Sequence, residues 1–124
     1  MKRRWVIGLI VAFGALAASA ASAEPTPAVR AEVNFLLGYV EGSGCDFDRN
    51  GSWYTSPEAQ QHLRDKFNYL VARDLIHSTE DFIDRAASES SFSGRAYRVR
   101  CKGGLPVTSK QWLSEELARL RGLK

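Results

Sequence analysis

The sequence predicts an α+β fold in which about four helices pack on a two-stranded antiparallel sheet. Four stretches carry apolar residues at helical spacing, and two shorter stretches alternate apolar and polar residues as strands do. Each alternating stretch contains one of the two cysteines, Cys45 and Cys101, so a single disulfide would join the strands. The order of helix, strand, helix, helix, strand and helix is typical of an α+β domain.

The N-terminus has the pattern of a secretory signal peptide. A basic start at residues 2–4 precedes an apolar run at 5–18 and a small-residue cleavage site that ends at Ala23. The apolar run is too short, and wrongly flanked, for a stable membrane span. We therefore expect a cleaved signal peptide at 1–23 and a single domain at 24–124.

Export changes what the charge of the chain implies. Lys2, Arg3 and Arg4 account for the whole formal net charge of +3, so the mature domain is formally neutral. A neutral domain does not indicate a nucleic-acid partner. After removal of the signal peptide no long apolar segment remains, so we expect no membrane span. In an oxidising compartment the two cysteines would form a disulfide.

The first predicted helix has a clear start and a clear end. Thr26 is a suitable N-cap, and Pro27 suits the first helical position. The sequence at 42–44 (Gly-Ser-Gly) ends the helix. The apolar residues that share one face are Val29, Val33, Leu36, Leu37 and Val40.

The first predicted strand covers Cys45–Asn50 and ends at a turn signal, Asn50–Gly51. Because side chains alternate along a strand, its residues form two faces. Cys45, Phe47 and Arg49 share one face, and Asp46, Asp48 and Asn50 share the other.

Two helices are predicted between the strands. Thr55 begins the longer one, with Pro57 in its first turn and Glu58 as the capping-box carboxylate. Ser78 begins the shorter one, with Asp81 in the capping-box position. Their apolar faces consist of Ala59, Leu63, Phe67, Leu70 and Val71 in the longer helix, and Phe82, Ile83, Ala86 and Ala87 in the shorter.

A serine-rich loop at 88–94 leads to the second strand, Arg95–Cys101. A turn at Gly103–Pro106 follows, and Thr108 caps the last helix. In the strand Tyr97, Val99 and Cys101 face inward while Ala96, Arg98 and Arg100 face outward. The apolar residues that line the last helix are Leu113, Leu117 and Leu120.

One antiparallel register explains both the disulfide and the acidic residues. With Cys45 opposite Cys101, Phe47 lies opposite Val99 and Arg49 opposite Tyr97. On the other face of the pair, Asp46 then meets Arg100 and Asp48 meets Arg98. Opposite charges across a strand pair favour pairing by a few tenths of a kcal/mol up to about 1 kcal/mol.

A calcium loop is the competing interpretation of the same acidic residues. Counted from Asp46, the ligand positions 1, 3 and 5 and the glycine at position 6 fit the pattern of an EF-hand. Position 12, however, is Pro57, and Glu58 comes one residue late. The two histidines, His62 and His77, are not at zinc spacing from the cysteines. We therefore predict a charge ladder between the strands, no metal site and no cofactor.

Several spaced motifs resemble one known family. Residues 47–51 read F-x-R-N-G, and residues 62–66 read H-L-R-x-K. Residues 80–99 read E-x-F-I-x-x-x-A-S-x-S-S-x-S-G-x-x-Y-x-V. Together they resemble the YfeK-like family of small exported bacterial proteins, a domain of unknown function (DUF 5329). The resemblance covers about Val33 to Cys101 and implies a Gram-negative periplasmic location. It supplies no activity, ligand or catalytic residue.

The polar residues shared with these motifs form the best candidate surface for a ligand or partner. His62 and Lys66 share a stripe of the second helix with Tyr69 and Arg73. Beside the serine loop, that stripe would make a polar, mildly positive groove for a carboxylate or phosphate. The candidate residues are Arg49, Asn50, His62, Lys66, Ser88, Ser90, Ser91 and Ser93.

Each candidate residue also has a structural interpretation. Arg49 would stack on Tyr97, Asn50 would form the turn, and the serines would cap the preceding helix and bind loop amides. His62 would be a packing residue, and Lys66 would pair with a carboxylate or lie in water.

These patterns favour a non-enzymatic periplasmic protein that binds a partner protein or a small anionic ligand. The alternative is a small hydrolase in which a serine of residues 88–93 is the nucleophile and His62 the base. No G-x-S-x-G elbow or S-x-x-K motif surrounds those serines. P-loop and dinucleotide fingerprints are also missing from the sequence. A purely structural role is a third hypothesis.

Overall fold

Four helices and four strands make up the part of the chain that the computed structural model describes, residues 24–123. The α+β class is confirmed. The signal peptide predicted at 1–23 lies outside the described residues. The elements are α1 Pro27–Gly42, β1 Asp46–Arg49, β2 Ser52–Tyr54, α2 Ser56–Ala72, α3 Thr79–Ala86, β3 Arg98–Arg100, β4 Val107–Thr108 and α4 Ser109–Leu120.

The prediction of a two-stranded sheet is wrong, because within residues 24–123 the sheet has four antiparallel strands in the order β2-β1-β3-β4. β2 folds back on β1 through a two-residue hairpin in which Arg49 pairs with Ser52. Asn50 and Gly51 have φ values of 55° and 87°. A type I′ hairpin requires positive φ at both central residues, and Asn-Gly is the dipeptide that best tolerates it.

The fourth strand consists of two residues and lies at the other edge. Val107 pairs with Val99 and Thr108 with Arg98. Thr108 also caps α4, since its side chain accepts a hydrogen bond from the Gln111 N–H. Thr108 thus ends a strand and caps a helix. The sequence pattern predicts the helix cap and gives no signal for so short a strand.

The predicted register of the central pair is confirmed. Phe47 pairs with Val99, and the Cys45–Cys101 disulfide closes the ladder at one end with a Cα–Cα distance of 4.3 Å. At the other end the ladder stops at Arg98, because the Tyr97 N–H donates to the Ser88 carbonyl instead.

The predicted charge ladder is confirmed as well. The buried Asp48 carboxylate accepts two hydrogen bonds from Arg98, at 2.8 and 3.0 Å, and a third from the Gly51 N–H at 2.8 Å. Asp46 lies 3.6 Å from Arg100. Asp48 therefore stabilises the hairpin turn and the strand pair together, since a carboxylate can accept several such bonds.

The helices begin at the predicted caps. Thr26 accepts from the Val29 N–H, Thr55 and Glu58 form a complete capping box, and Ser78 accepts from the Asp81 N–H. Asp81 departs from a capping box, because its carboxylate accepts from the His77 N–H rather than from Ser78. These caps satisfy N–H groups that the first turn of a helix leaves unpaired.

The helices cover one face of the sheet and leave the other open. The covered face contributes Phe47 and Val99 to a core with the apolar faces of all four helices. The open face carries the charge ladder, with Trp53 lying under the Arg98 and Arg100 guanidinium groups at 5.6 and 3.9 Å. Within residues 24–123, no helix is long and apolar enough to cross a bilayer.

Candidate functional site

An open cleft lies where the end of β1, the middle of α2 and the loop 88–94 meet. Its volume is about 260 Å³. Six of the eight predicted surface residues reach it, and Ser88 and Ser93 do not. The lining residues are Arg49, Asn50, His62, Lys66, Ser90, Ser91, Phe92 and Tyr97.

His62 lies at the centre of this cleft, between Arg49 and Tyr97. Its Nδ1 is 2.8 Å from an Arg49 guanidinium nitrogen, and its Nε2 is 3.1 Å from the Tyr97 hydroxyl. The Arg49 guanidinium also stacks over the Tyr54 ring, with 4.8 Å between its carbon and the ring centroid. Arg49 is therefore held by aromatic side chains, and the predicted stacking on Tyr97 is replaced by stacking on Tyr54.

Lys66 follows His62 by one helical turn and reaches the same hydroxyl. Its ammonium group donates to Tyr97 Oη at 3.2 Å and to the Glu89 carbonyl at 2.8 Å. One of the three N–H groups of the ammonium is then still available, since a lysine carries three donors.

Two hydrogen bonds of this cluster end at the Tyr97 hydroxyl oxygen. A guanidinium can only donate, and Arg49 lies 2.8 Å from His62 Nδ1 against 3.4 Å from Nε2. We therefore assign Nδ1 as the acceptor and the proton of the neutral ring to Nε2, which then donates to Tyr97. Lys66 donates to the same oxygen. With both acceptor positions used, the Tyr97 O–H must itself donate, and residues 24–123 provide no acceptor for it. The cleft therefore offers this proton to its occupant.

The positive charges of the cleft have no carboxylate in direct contact among residues 24–123. Neither Arg49 nor Lys66 forms an ion pair with a carboxylate among the described residues. Burial, followed by the positive charges of Arg49 and Lys66, lowers the pKa of His62 to about 4. Burial also lowers the pKa of Lys66, although the negative charge of Glu89 partly offsets it. Burial raises the pKa of Tyr97, so its hydroxyl stays protonated.

The polar groups of Asn50, Ser90 and Ser93 bind one another, although Asn50 and Ser90 also line the cleft. The Asn50 side chain donates to Ser90 Oγ at 3.2 Å and accepts from Ser93 Oγ. The buried Ser90 Oγ also accepts the N–H groups of Phe92 and Ser93, at 3.1 and 3.2 Å. Their structural interpretation is the one the geometry supports: they fasten the serine loop to the β1–β2 hairpin.

The remaining serines differ from this group. Ser88 Oγ donates to the Ile83 carbonyl at 2.7 Å and so caps the end of α3. Ser91 is exposed in the cleft wall, and its hydroxyl has no hydrogen-bond partner among residues 24–123. Phe92, at the cleft rim, is 96% exposed although its own N–H is bound. A fixed loop thus presents a free hydroxyl and a free phenyl ring beside the two cations.

Tyr97 is the site residue that sequence reasoning missed. The alternation of the strand predicts an inward-facing Tyr97, which is correct for its buried ring. Its hydroxyl nevertheless contacts two of the cleft's side chains, His62 and Lys66, and a tyrosine in an inward strand position is a signal for such a polar end. The other two residues of the predicted stripe do not join the cleft: Arg73 stacks on the exposed Tyr69 ring at 3.6 Å.

The geometry gives no support to the serine hydrolase. His62 contacts Arg49 and Tyr97, and among the described residues it has no hydrogen bond to a serine of the loop 88–94. Ser90 Oγ is an acceptor for three donors. With a pKa of about 4, His62 is also a weak base at neutral pH.

The described residues also contain no group of side chains that could bind a metal ion. Within residues 24–123, no three His, Cys, Asp or Glu side chains are grouped so that they could hold an ion. Asp46 and Asp48, the residues of the calcium interpretation, bind arginines.

Comparison with known proteins identifies a family but no activity. A family model described as "Family of unknown function (DUF5329)" matches residues 27–121. A relative from Salmonella typhimurium, described as "Uncharacterized protein YfeK", is 37% identical over 68 residues, which are 54% of this chain and 55% of the relative. The match thus spans about half the length of that curated relative. No solved structure matches.

Proposed function

Since the chain belongs to DUF5329, a family of unknown function, we propose a function from the cleft itself: the protein is a non-enzymatic binding module for a small anionic ligand. The ligand would lie between Arg49 and Lys66 and accept the hydrogen bonds that Tyr97 and Ser91 are free to donate. A carboxylate or a phosphate provides such acceptors, and hydrogen bonds from charged donors are stronger than those between neutral groups.

The contacts of the Tyr97 oxygen with His62 and Lys66 are the observation that carries this proposal. Two donors fill the acceptor positions of its oxygen, so its own proton points to an occupant that accepts. On either side lies a cation, Arg49 or Lys66, that has no ion pair with a carboxylate in the described part of the chain. A half-buried positive charge without a partner is costly for the fold, and an anion would offset that cost.

A binding role fits these residues better than catalysis. The side chain of Arg49 holds His62 as a hydrogen-bond acceptor, and burial keeps its ring neutral. His62 therefore positions Arg49 and Tyr97 rather than removing a proton from a nucleophile.

The test is binding of inorganic phosphate and acetate at pH 7, measured by isothermal titration calorimetry. Lys66→Met should weaken phosphate binding about 10-fold or more, since a hydrogen bond to a charged group contributes about 1.5–3 kcal/mol. Lys110→Met is the matched control, because Lys110 already pairs with Asp84 at 3.2 Å. It should change the affinity less than about 2-fold. Equal losses in both variants, or no binding by the wild type, would contradict the proposal.

The proposed location is the periplasm, with cleavage of residues 1–23 and a mature domain at 24–124. The basic, apolar and small-residue pattern of the N-terminus supports it. Cell fractionation and intact-mass measurement should find a periplasmic chain that begins at Glu24. A cytoplasmic chain that keeps Met1 would overturn this part of the proposal.

A partner protein is the second candidate occupant of this surface, and the exposure of Phe92 favours it. A large apolar side chain on a fastened loop is typical of a contact residue. Crosslinking in intact cells should lose a specific product in Phe92→Ser and keep it in Leu105→Ser, which alters a residue that is 87% exposed outside the cleft lining. An identical pattern in both variants would count against a partner at Phe92.

A further inference from the structure

A second, smaller cavity lies behind the cleft. Its volume is about 40 Å³, and Arg49, His62 and Tyr97 line both spaces. One water needs roughly 10–15 Å³ on the same kind of measure, so the cavity has room for a small group of atoms. The side chains that complete its wall are mostly apolar: Phe47, Tyr54, Ala59 and Leu63, with Asp48, Glu58 and Ser109 as the remaining lining residues.

Arg49 is the cation in the partition between cleft and cavity, and the side chains that hold it there are uncharged. Arg49 is half-buried and is held there by the 2.8 Å contact with His62 and by the Tyr54 ring. It forms no ion pair with a carboxylate among residues 24–123. A carboxylate that enters the cleft would give Arg49 a charge-assisted and geometrically matched partner. That partner competes with the neutral imidazole and draws the guanidinium away from it.

We propose that the cleft and the cavity form one two-part site for a carboxylate that carries a compact apolar group. The carboxylate binds Arg49, Lys66 and the Tyr97 hydroxyl. The apolar group enters the space between Tyr54, Ala59 and Leu63 as Arg49 turns from His62 toward the carboxylate. This inference rests on the proposed anion site and adds the chemical class of its ligand.

The shared wall limits how the two parts of the ligand are joined. Because Arg49, His62 and Tyr97 border both spaces, the apolar group must follow the carboxylate within one or two bonds. A branched group of three or four carbons fits that requirement. A short branched-chain acid has this chemistry, and so does the C-terminal leucine of a peptide. Mostly apolar walls with a few placed polar groups are typical of small-molecule sites.

The primary test is a ligand series titrated into the wild-type exported protein at pH 7. 3-Methylbutanoate should bind at least about 10-fold more tightly than acetate, since each buried methylene or methyl group is worth roughly a 4-fold gain. The neutral 3-methylbutanamide should bind at least about 10-fold more weakly than the acid, because it loses the charged contacts. Acetyl-glycyl-leucine with a free carboxyl group tests the peptide source: tighter binding than 3-methylbutanoate assigns the site to peptide termini, and weaker binding assigns it to free acids.

A variant that fills the cavity separates its contribution from that of the cleft. Ala59→Leu should abolish the advantage of 3-methylbutanoate and leave acetate binding within about 2-fold of wild type. Ala72→Leu changes an exposed alanine of the same helix and should keep the advantage. If Ala59→Leu does not fold, the wild-type series alone decides.

The outcomes distinguish this inference from the proposed function. Equal affinities for acetate and 3-methylbutanoate would overturn the two-part site and leave the anion site standing. An amide that binds as well as the acid would overturn the two-part site too. No binding of acetate, phosphate or 3-methylbutanoate would overturn both.

Discussion

Two groups of basic residues in this protein differ in what they face. Arg98 on the open sheet face lies 2.8 Å from the Asp48 carboxylate, and Arg121 at the end of α4 lies 2.8 Å from Glu32 and 2.6 Å from Glu80. Arg49 and Lys66 in the cleft instead face an imidazole, a phenol and a backbone carbonyl. Side chains of the same type are neutralised in one region and not in the other.

The difference is visible in the pKa values. The hydrogen bonds that Arg121 donates lower the pKa of Glu32 to about 2, and the same bonds to Glu32 and Glu80 raise the pKa of Arg121. In the cleft, burial lowers the pKa of both His62 and Lys66. Folding thus favours the charged forms in the first region and opposes them in the second. The first group therefore stabilises the fold through its ion pairs, whereas the charges of the second group are opposed by burial, which is why we propose an anion as their partner.

The largest effect should come from removing the disulfide that closes the neutralised strand pair. The Cys45→Ala/Cys101→Ala double variant should lower the free energy of unfolding by about 4 kcal/mol, because the bridge closes a loop with a sequence separation of 56. Urea unfolding measures this. Phosphate binding by the folded fraction should persist. A loss below about 1 kcal/mol would mean that the pairing stabilises the fold without the bridge.

A smaller decrease in the free energy of unfolding is expected when the buried carboxylate of the charge ladder is removed. Asp48→Ala should lower the free energy of unfolding by about 2 kcal/mol, since it leaves the Gly51 N–H and Arg98 without their acceptor. Asp46→Ala is the control and should cost less than about 0.5 kcal/mol, because its pair with Arg100 is exposed. Equal losses, by thermal and urea unfolding, would show that burial does not distinguish the two aspartates.

The pH dependence of stability should separate the two regions. The folded-state pKa of Glu32 is lowered from 4.5 to about 2, so its contribution is present above pH 4.5 and is lost as the pH falls toward 2. The folded-state pKa of His62 is lowered from 6.5 to about 4, so the unfolded chain binds a proton first. Stability therefore also falls as the pH drops from 6.5 to 4.

Urea midpoints measured across this range provide the check. Glu32→Gln should reduce the change of the urea midpoint with pH between 4.5 and 2. His62→Gln should reduce it between pH 6.5 and 4. If the stability of His62→Gln changed with pH as steeply as that of the wild type between pH 6.5 and 4, the account of the cleft would be contradicted.

The smallest effect on stability is expected in the cleft. Lys66→Met should leave the free energy of unfolding within about 0.5 kcal/mol of wild type, because the relief of a half-buried charge offsets two lost hydrogen bonds. The same variant should lose most of its affinity for phosphate. A stability loss above about 2 kcal/mol, in urea unfolding, would instead assign Lys66 to the fold.

Local patterns were enough to predict the helices, their caps and the central strand register. Thr26, Thr55 and Thr108 cap the helices as expected, and the position of Cys45 opposite Cys101 fixed the order of the charge ladder. The edge strands β2 and β4 were missed since strands of three and two residues exist only through pairing with neighbours. Asn50–Gly51 was read as a turn, and its use as a type I′ hairpin was the available signal for β2.

The sequence predicts most of the residues that meet in the cleft, but not what each side chain does there. The structure brings Arg49, His62 and Lys66 together, and the prediction that they bind a ligand stays a prediction. The role of Tyr97 depends on contacts with residues 31 and 35 positions away, which no local pattern contains. The role of Ser90 in fixing the serine loop also depends on a distant partner, since Asn50 is 40 positions away.

Titration of the His62 ring by NMR, with and without phosphate, tests the central claim most directly. The free protein should show a His62 pKa of about 4. Saturating phosphate should raise that pKa by roughly one unit, because a bound anion offsets the positive charges of Arg49 and Lys66. A His62 pKa near 6.5 in the free protein, or a pKa that phosphate leaves unchanged, would contradict the proposed anion site between Arg49 and Lys66.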